Sequence, residues 1–266
     1  MSTLPPVPTP GSARTAKPLL VAEQRQLFQR VLDALQGGGV SFAVAGAFAF
    51  QHYTGIWRFT KDLDLFLPAA AVERALELCR SAGLATEITD PVWLAKAWAG
   101  DYFVDLISGM SNGVFWVTPA WMALARTGEV LGQRLPLLAP EEMILSKIFV
   151  TRRERFDGSD VCHLIHRCGA GMDWTRLRAA VGEHWAMLLW HLLLFRYVYP
   201  ADREAVPGWL WRDLRQRLEE DLSDLPAGPF RGSLIDPPMF APDIVTWGLE
   251  NLEESSRRRR LRERAA

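Results

Sequence analysis

The chain is short of cysteine, of net charge and of long apolar runs, and each shortage excludes a class of protein. Three cysteines in 266 residues, Cys79, Cys162 and Cys168, are too few and too irregularly spaced for a disulfide framework, which fits a reducing compartment. A formal net charge of −1 excludes a protein that grips nucleic acid with its whole surface, so a nucleic-acid site is expected only as a local patch. The most apolar run, Met187 to Val198, is interrupted by His191 and Arg196 and falls short of the roughly 20 residues that cross a bilayer. It reads as a buried helix, and no membrane partner is expected. Met1 to Lys17 is rich in Pro, Ser, Thr and Ala and lacks the apolar stretch of a signal peptide. Residues 1–20 are therefore expected to be a flexible tail, and the protein to stay in the cytoplasm. No internal repeat is visible.

What the chain does have is an ordinary globular balance, 49% hydrophobic and 23% charged, with ample length for a buried core. Hydrophobic spacing predicts a helix over Ala22 to Leu35 ended by three glycines, a buried strand over Val40 to Ala45, and a short helix from Gly46 to Tyr53. Asp62 to Leu67 alternates carboxylate and leucine, the period of a strand. A helix over Ala69 to Ala82, a strand over Leu84 to Ile88 and a hairpin over Trp93 to Trp98 and Tyr102 to Ile107 follow. Beyond a short helix from Pro119 and a strand around Leu135 to Leu138, Pro140 opens a helix expected to run to Arg153. Helical periodicity then dominates through Asp157 to Cys168, Trp174 to Val181, Trp185 to Tyr199 and Trp209 to Leu222. The expected fold class is therefore α/β (α+β). A mixed sheet with flanking helices spans residues 21–139 and a mainly helical domain spans 140–225. Residues 226–266 form a wrapping segment and a basic tail with six arginines between Arg257 and Arg264.

Side chains two apart on a strand share a face roughly 7 Å apart, so Asp62 and Asp64 project together while Leu63, Leu65 and Leu67 face the core. Paired carboxylates repel unless a cation lies between them, and hard cations such as magnesium prefer oxygen ligands. An isolated pair of this kind can equally be a solvated sheet edge. Its setting favours the cation: a strand leaving at Gly46 into a helix aims backbone N–H groups and a positive dipole end where a phosphate can bind. A phosphate cradle followed by metal ligands suits phosphoryl chemistry. Asp105, in the apolar strand Tyr102 to Ile107, needs a partner for its charge, and a neighbouring metal supplies one.

The segment Val44-Ala45-Gly46-Ala47, then Phe50 to Tyr53, Arg58, Thr60 and Asp62-Leu63-Asp64-Leu65-Phe66 resembles the signature of the DNA polymerase β-like nucleotidyltransferase superfamily. Asp105 matches its third carboxylate. Pro140 to Lys147 resembles the helix that supplies a triphosphate-binding lysine in AbiEii-like bacterial members, and Arg155 to Asp160 is similar to their R-x-K-D-x-x-D element, with Phe156 in place of the lysine. The resemblance covers Val40 to Leu164 and departs at Ala47, where the family carries Gly or Ser. It implies an enzyme that moves an NMP from an NTP to a hydroxyl acceptor and releases pyrophosphate. Asp62, Asp64 and Asp105 are then the catalytic and metal ligands for two Mg²⁺ ions. Gly46, Ala47, Arg58, Thr60, Lys147, Asp157 and Asp160 are the nucleotide-binding set. The AbiEii-like similarity tilts the acceptor toward RNA or tRNA in a toxin or defence setting. The rivals are a catalytically silent binding module and a small-molecule, aminoglycoside-type nucleotidyltransferase.

Blander readings stand beside several of these. Lys147 can be a solvent-facing helix lysine, Asp157 and Asp160 charges that favour a helix dipole, and Arg58 a brace for Asp62 or a loop-surface residue. Cys162, His163, His166 and Cys168 do not make a zinc site, because 163 lies about 100° from 162 around a helix and no second ligand pair has the spacing. Trp185, Trp190, Trp209 and Trp211, set among leucines, read as packing, with a lesser reading in which one or two line an acceptor pocket.

Overall fold

The computed structural model describes residues 20–223 and 228–265, so the expected N-terminal tail and part of the wrapping segment lie outside the described residues. Helix α1, Ala22–Gly37, buries Leu27, Phe28, Val31, Leu32 and Leu35, the stripe its spacing predicts. Strand β1 is Ala43–Val44, shorter than expected, because Ala45 already turns into α2, Gly46–Thr54. Then come β2, Asp62–Phe66; α3, Val72–Ser81; β3, Ala85–Asp90; β4, Leu94–Ala99; β5, Tyr102–Ile107; and α4, Pro119–Ala123. The pair β6, Arg126–Val130, and β7, Gln133–Leu137, closes the sheet half.

These strands form one mixed seven-stranded sheet in the order β3-β4-β5-β2-β1-β7-β6, in agreement with the expected α/β class. Two pairings are parallel, β2 with β5 and β1 with β7, and the rest are antiparallel. The parallel register sets Leu63 opposite Val104, Asp64 opposite Asp105 and Leu65 opposite Leu106. Alternation along each strand therefore separates a leucine face from a carboxylate face. Leu63, Leu65, Val104 and Leu106 are fully buried, and α1 and α3 pack against β4 and β5.

The remainder is helical: α5, Pro140–Lys147; α6, Gly158–Cys168; α7, Trp174–Val181; α8, Trp185–Val198; α9, Gly208–Ser223; α10, Gly232–Ile235; α11, Ala241–Val245; and α12, Leu252–Ala265. Helix α5 stops at Lys147, not at Arg153 as its periodicity suggested. The β-branched Val150 and Thr151 favour extended backbone, and the chain folds back through a bridge between Thr151 and Phe156. That loop brings Arg155 and Asp157 beside the end of α5. The arginine run forms α12, which docks on the sheet half: Arg257 makes a bidentate pair with Asp90 at 2.8 and 3.0 Å, and Arg260 lies 4.5 Å over the Trp116 ring. Buried apolar residues form one continuous cluster from Leu27 to Leu234. Among the described residues no helix is long and apolar enough to cross a membrane.

Candidate active site

Strands β2 and β5 place Asp62, Asp64 and Asp105 on one face, with a carboxylate oxygen of each within 4.8 Å of the others. Each is held differently. The Thr60 hydroxyl donates to Asp62, and the Thr60 carbonyl in turn accepts 2.9 Å from the Gln24 amide of α1. The ammonium of Lys96, directly across the β4–β5 ladder, donates to Asp105 Oδ1 at 2.6 Å and stands 3.8 Å over the Phe103 ring. Asp64 has no hydrogen-bond donor to its carboxylate among the described residues. Burial, and then the charges of Asp62 and Asp105, push its carboxyl up to about 7. Burial also raises Asp105, against the opposing pull of Lys96. Three crowded carboxylates short of positive charge, one of them with no donor, offer the hard oxygen donors that a divalent cation takes. The residues present fit such an ion.

Gly46 roofs this group. Its φ of +53° is left-handed, and a Cβ built there would lie 1.7 Å from Asp64 Oδ2. Both constraints demand glycine. The main-chain N–H of Ala45 donates to the Asp64 carbonyl at 2.9 Å, tying the turn to β2. Because the first N–H groups of a helix lack acceptors within it, the start of α2 at Gly46 and Ala47 faces the cleft with donors to spare. Gly46→Ala is expected to lose about 1–3 kcal/mol of stability from backbone strain alone and to displace Asp64. Thermal melting and metal titration check this, and a variant matching the parent in both would release the turn from its glycine requirement.

The opposite wall carries the cations. Lys147, at the end of α5, lies between Asp157 at 2.8 Å and Asp160 at 2.9 Å. Arg155 adds 3.0 Å contacts to both Asp157 oxygens. Although burial opposes it, these cations hold the Asp157 carboxyl below its usual range. Arg58 pairs with Asp160 and leaves Asp62 to Thr60. All ten residues singled out in the sequence line one cleft of about 530 Å³. Sequence reading missed Lys96, Arg152, Phe59 and Trp93, which line or border it too. A lysine in the otherwise apolar Leu94-Ala95-Lys96-Ala97-Trp98 was a signal of the same kind as Asp105, because its charge needs a partner. The cysteines and histidines of α6 diverge: Cys162 is buried, His163 meets Phe50 edge-on at 6.1 Å, and His166 stacks on Tyr199 at 4.5 Å.

Residues 24–181 match the family described as "Nucleotidyl transferase of unknown function (DUF2204)". No curated protein matches the chain. Solved structures that match include the antibiotic-resistance factor ANT(2'')-Ia, at 18% identity over 64% of this chain and 96% of that one, with a TM-score of 0.44. The lincosamide antibiotic adenylyltransferase LnuA matches at 15% identity, over 52% of this chain and 94% of that one, with a TM-score of 0.38. JHP933 from Helicobacter pylori matches at 14% identity, over 77% and 98%, with a TM-score of 0.37.

Proposed function

Because the chain belongs to this nucleotidyl transferase family, whose match spans residues 24–181, we propose that it is a Mg²⁺-dependent enzyme that transfers an NMP from an NTP to a hydroxyl acceptor. The observation that carries the reading is the group Asp62, Asp64 and Asp105, held within 4.8 Å under the Gly46 turn. Asp62, Asp64 and the oxygen of Asp105 not taken by Lys96 would hold the metal, with two ions proposed. Bound there, Mg²⁺ neutralises phosphate charge and makes the acceptor hydroxyl easier to deprotonate. The N–H groups at Gly46 and Ala47 and the cations Lys147, Arg155 and Arg58 receive the triphosphate. The acceptor oxygen bonds to the α-phosphorus as the bond to the bridging β-phosphate oxygen breaks, pyrophosphate leaves, and the acceptor proton passes to Asp105 or solvent. Lys96, on Asp105 Oδ1, leaves Oδ2 for these tasks. An NTP donor fits the cytoplasmic setting expected from the sequence.

For the acceptor, we read a small hydroxyl compound in preference to RNA. Three of the six arginines of the basic run are held against other parts of the molecule, Arg257 on Asp90, Arg260 on Trp116 and Arg264 on the Val92 carbonyl at 3.2 Å, and Arg258 pairs with Glu254 on its own helix. Among the described residues Arg259 and Arg262 are left without an ion pair, a small remainder for following a phosphate backbone. An AbiEii-like enzyme acting on RNA is the second reading, supported by the sequence similarity from Pro140 to Asp160. The test incubates the protein with Mg²⁺ and each NTP labelled at the α-phosphate, together with either purified cellular RNA or a small-molecule extract. Label in the small-molecule fraction is expected. Label in RNA alone selects the second reading, and label in neither, with intact nucleotide binding, leaves a silent binding fold.

Lys147→Ala is expected to weaken Mg²⁺–NTP binding by about 1–3 kcal/mol, the scale of a charge-assisted hydrogen bond. Calorimetry checks it, and unchanged affinity would confine Lys147 to holding Asp157 and Asp160.

A further inference from the structure

A second cavity, of about 540 Å³, lies against the carboxylate cleft, with Leu145 of α5 and Leu234 of α10 bordering both. Its walls come from the segment before α4, the turn between α7 and α8, and α12. The volume is that of small-molecule sites, which combine apolar walls with a few polar groups. Phe115, Trp116 and Trp121 supply flat apolar surface. His184 continues it, edge-on to Phe149 at 5.1 Å and to Phe115 at 6.2 Å, and its burial favours the neutral ring. The rim carries two arginines in different states. Arg231 is paired with Glu183 at 3.1 Å, whereas Arg259 makes no ion pair among the described residues. A neutral, aromatic hollow with one uncompensated positive charge at its edge is complementary to one kind of molecule.

We propose that this cavity is a binding site for a flat aromatic molecule bearing a single anionic group, with the ring system between Phe115, Trp121 and His184 and the anion on Arg259. The site does not depend on the proposed transfer chemistry. An occupant touches Leu145, two residues before Lys147, and so contacts the helix that carries the main cation of the cleft.

The experiment is calorimetry of the full chain with naphthoate and with naphthylmethanol, which share a ring system and differ in charge. Naphthoate is expected to bind with a stoichiometry of one and about tenfold or more tighter than the alcohol, the scale of a charge-assisted hydrogen bond. In Arg259→Ala the two should bind within about twofold of each other. Ala180→Trp, at an exposed position lining the cavity, should weaken both by about tenfold while melting at the parent temperature. Absence of saturable naphthoate binding would overturn the proposal. So would an undiminished preference for naphthoate in Arg259→Ala, or full binding by a folded Ala180→Trp.

Discussion

Asp64→Asn is expected to abolish nucleotide transfer and, in the metal-free protein at neutral pH, to raise stability. Asp64 is the carboxylate with no donor of its own, pushed up to about 7 by burial and by the charges of Asp62 and Asp105. Between about pH 4 and 7 the folded protein therefore binds a proton at this position that the unfolded chain has released. Stability consequently falls as pH rises through that window. Asparagine removes the ionisation and with it this part of the pH dependence. Mg²⁺ should do the same for the parent by replacing the proton as the counter-charge. Melting temperature against pH, with and without MgCl₂, reads both effects: a declining parent curve that the metal flattens, and a flatter metal-insensitive curve for the variant. Transfer should fall by on the order of 10²–10³-fold or more, as when a preorganised electrostatic group is removed from other active sites. Equal turnover in Asp64→Asn would take the chemistry away from β2.

The largest loss of stability is expected away from the cleft, at Arg176. Glu141 and Glu142 open α5, where their charges favour the helix dipole, yet both are almost fully buried, at 1% and 2% exposed. Arg176 of α7 reaches Glu141 at 3.1 Å and pairs with Glu142 as well, while the Asp173 N–H donates to Glu141 at 2.6 Å. Removing Arg176 strands Glu142 and leaves Glu141 only the cation of Arg126, at 3.6 Å, and breaking a buried pair in this way costs about 3–5 kcal/mol. Arg176→Ala should show that loss in urea denaturation. Burial, opposed by Arg176, already raises the Glu142 carboxyl. Without the arginine it rises further and protonates sooner as pH falls, so the deficit should shrink on acidification. The triple variant Glu141→Gln, Glu142→Gln and Arg176→Met should recover most of the loss. A deficit that is independent of pH would point to lost packing of the long side chain in place of stranded charge.

Local pattern made much of this architecture legible. The alternation of Asp62 to Leu67 and the break at Gly46 needed no tertiary information, because a strand period and a left-handed turn are local properties. What escaped depends on partners across a strand, a loop or the sheet, which the periodicity of one segment does not record. Lys96 gains meaning only when β4 pairs with β5 and sets it against Asp105. Strand β6, with the sequence Arg126-Thr127-Gly128-Glu129-Val130, lacks a clean hydrophobic alternation and exists because β7 offers it an edge. The arginines of α12 read as a basic end because Asp90, which neutralises Arg257, lies on the far side of the sequence. Helix α5 ends early through the fold-back between Thr151 and Phe156, which hydrophobic periodicity does not record.

The parallel register of Asp64 with Asp105 also carries a consequence in time. The two strands are separated in the chain by α3 and the β3–β4 hairpin, so their pairing closes a long loop and cannot form as a local event. A hairpin such as β4–β5 can form early, with Lys96 already on Asp105, while Asp62 and Asp64 remain elsewhere in the collapsing chain. Asp105 is therefore expected to meet Asp62 and Asp64 only when the leucine faces of β2 and β5 come together. Affinity for metal and nucleotide should appear only in the slowest phase of refolding, and a stopped-flow trace of nucleotide binding during refolding should lag behind the gain of secondary structure.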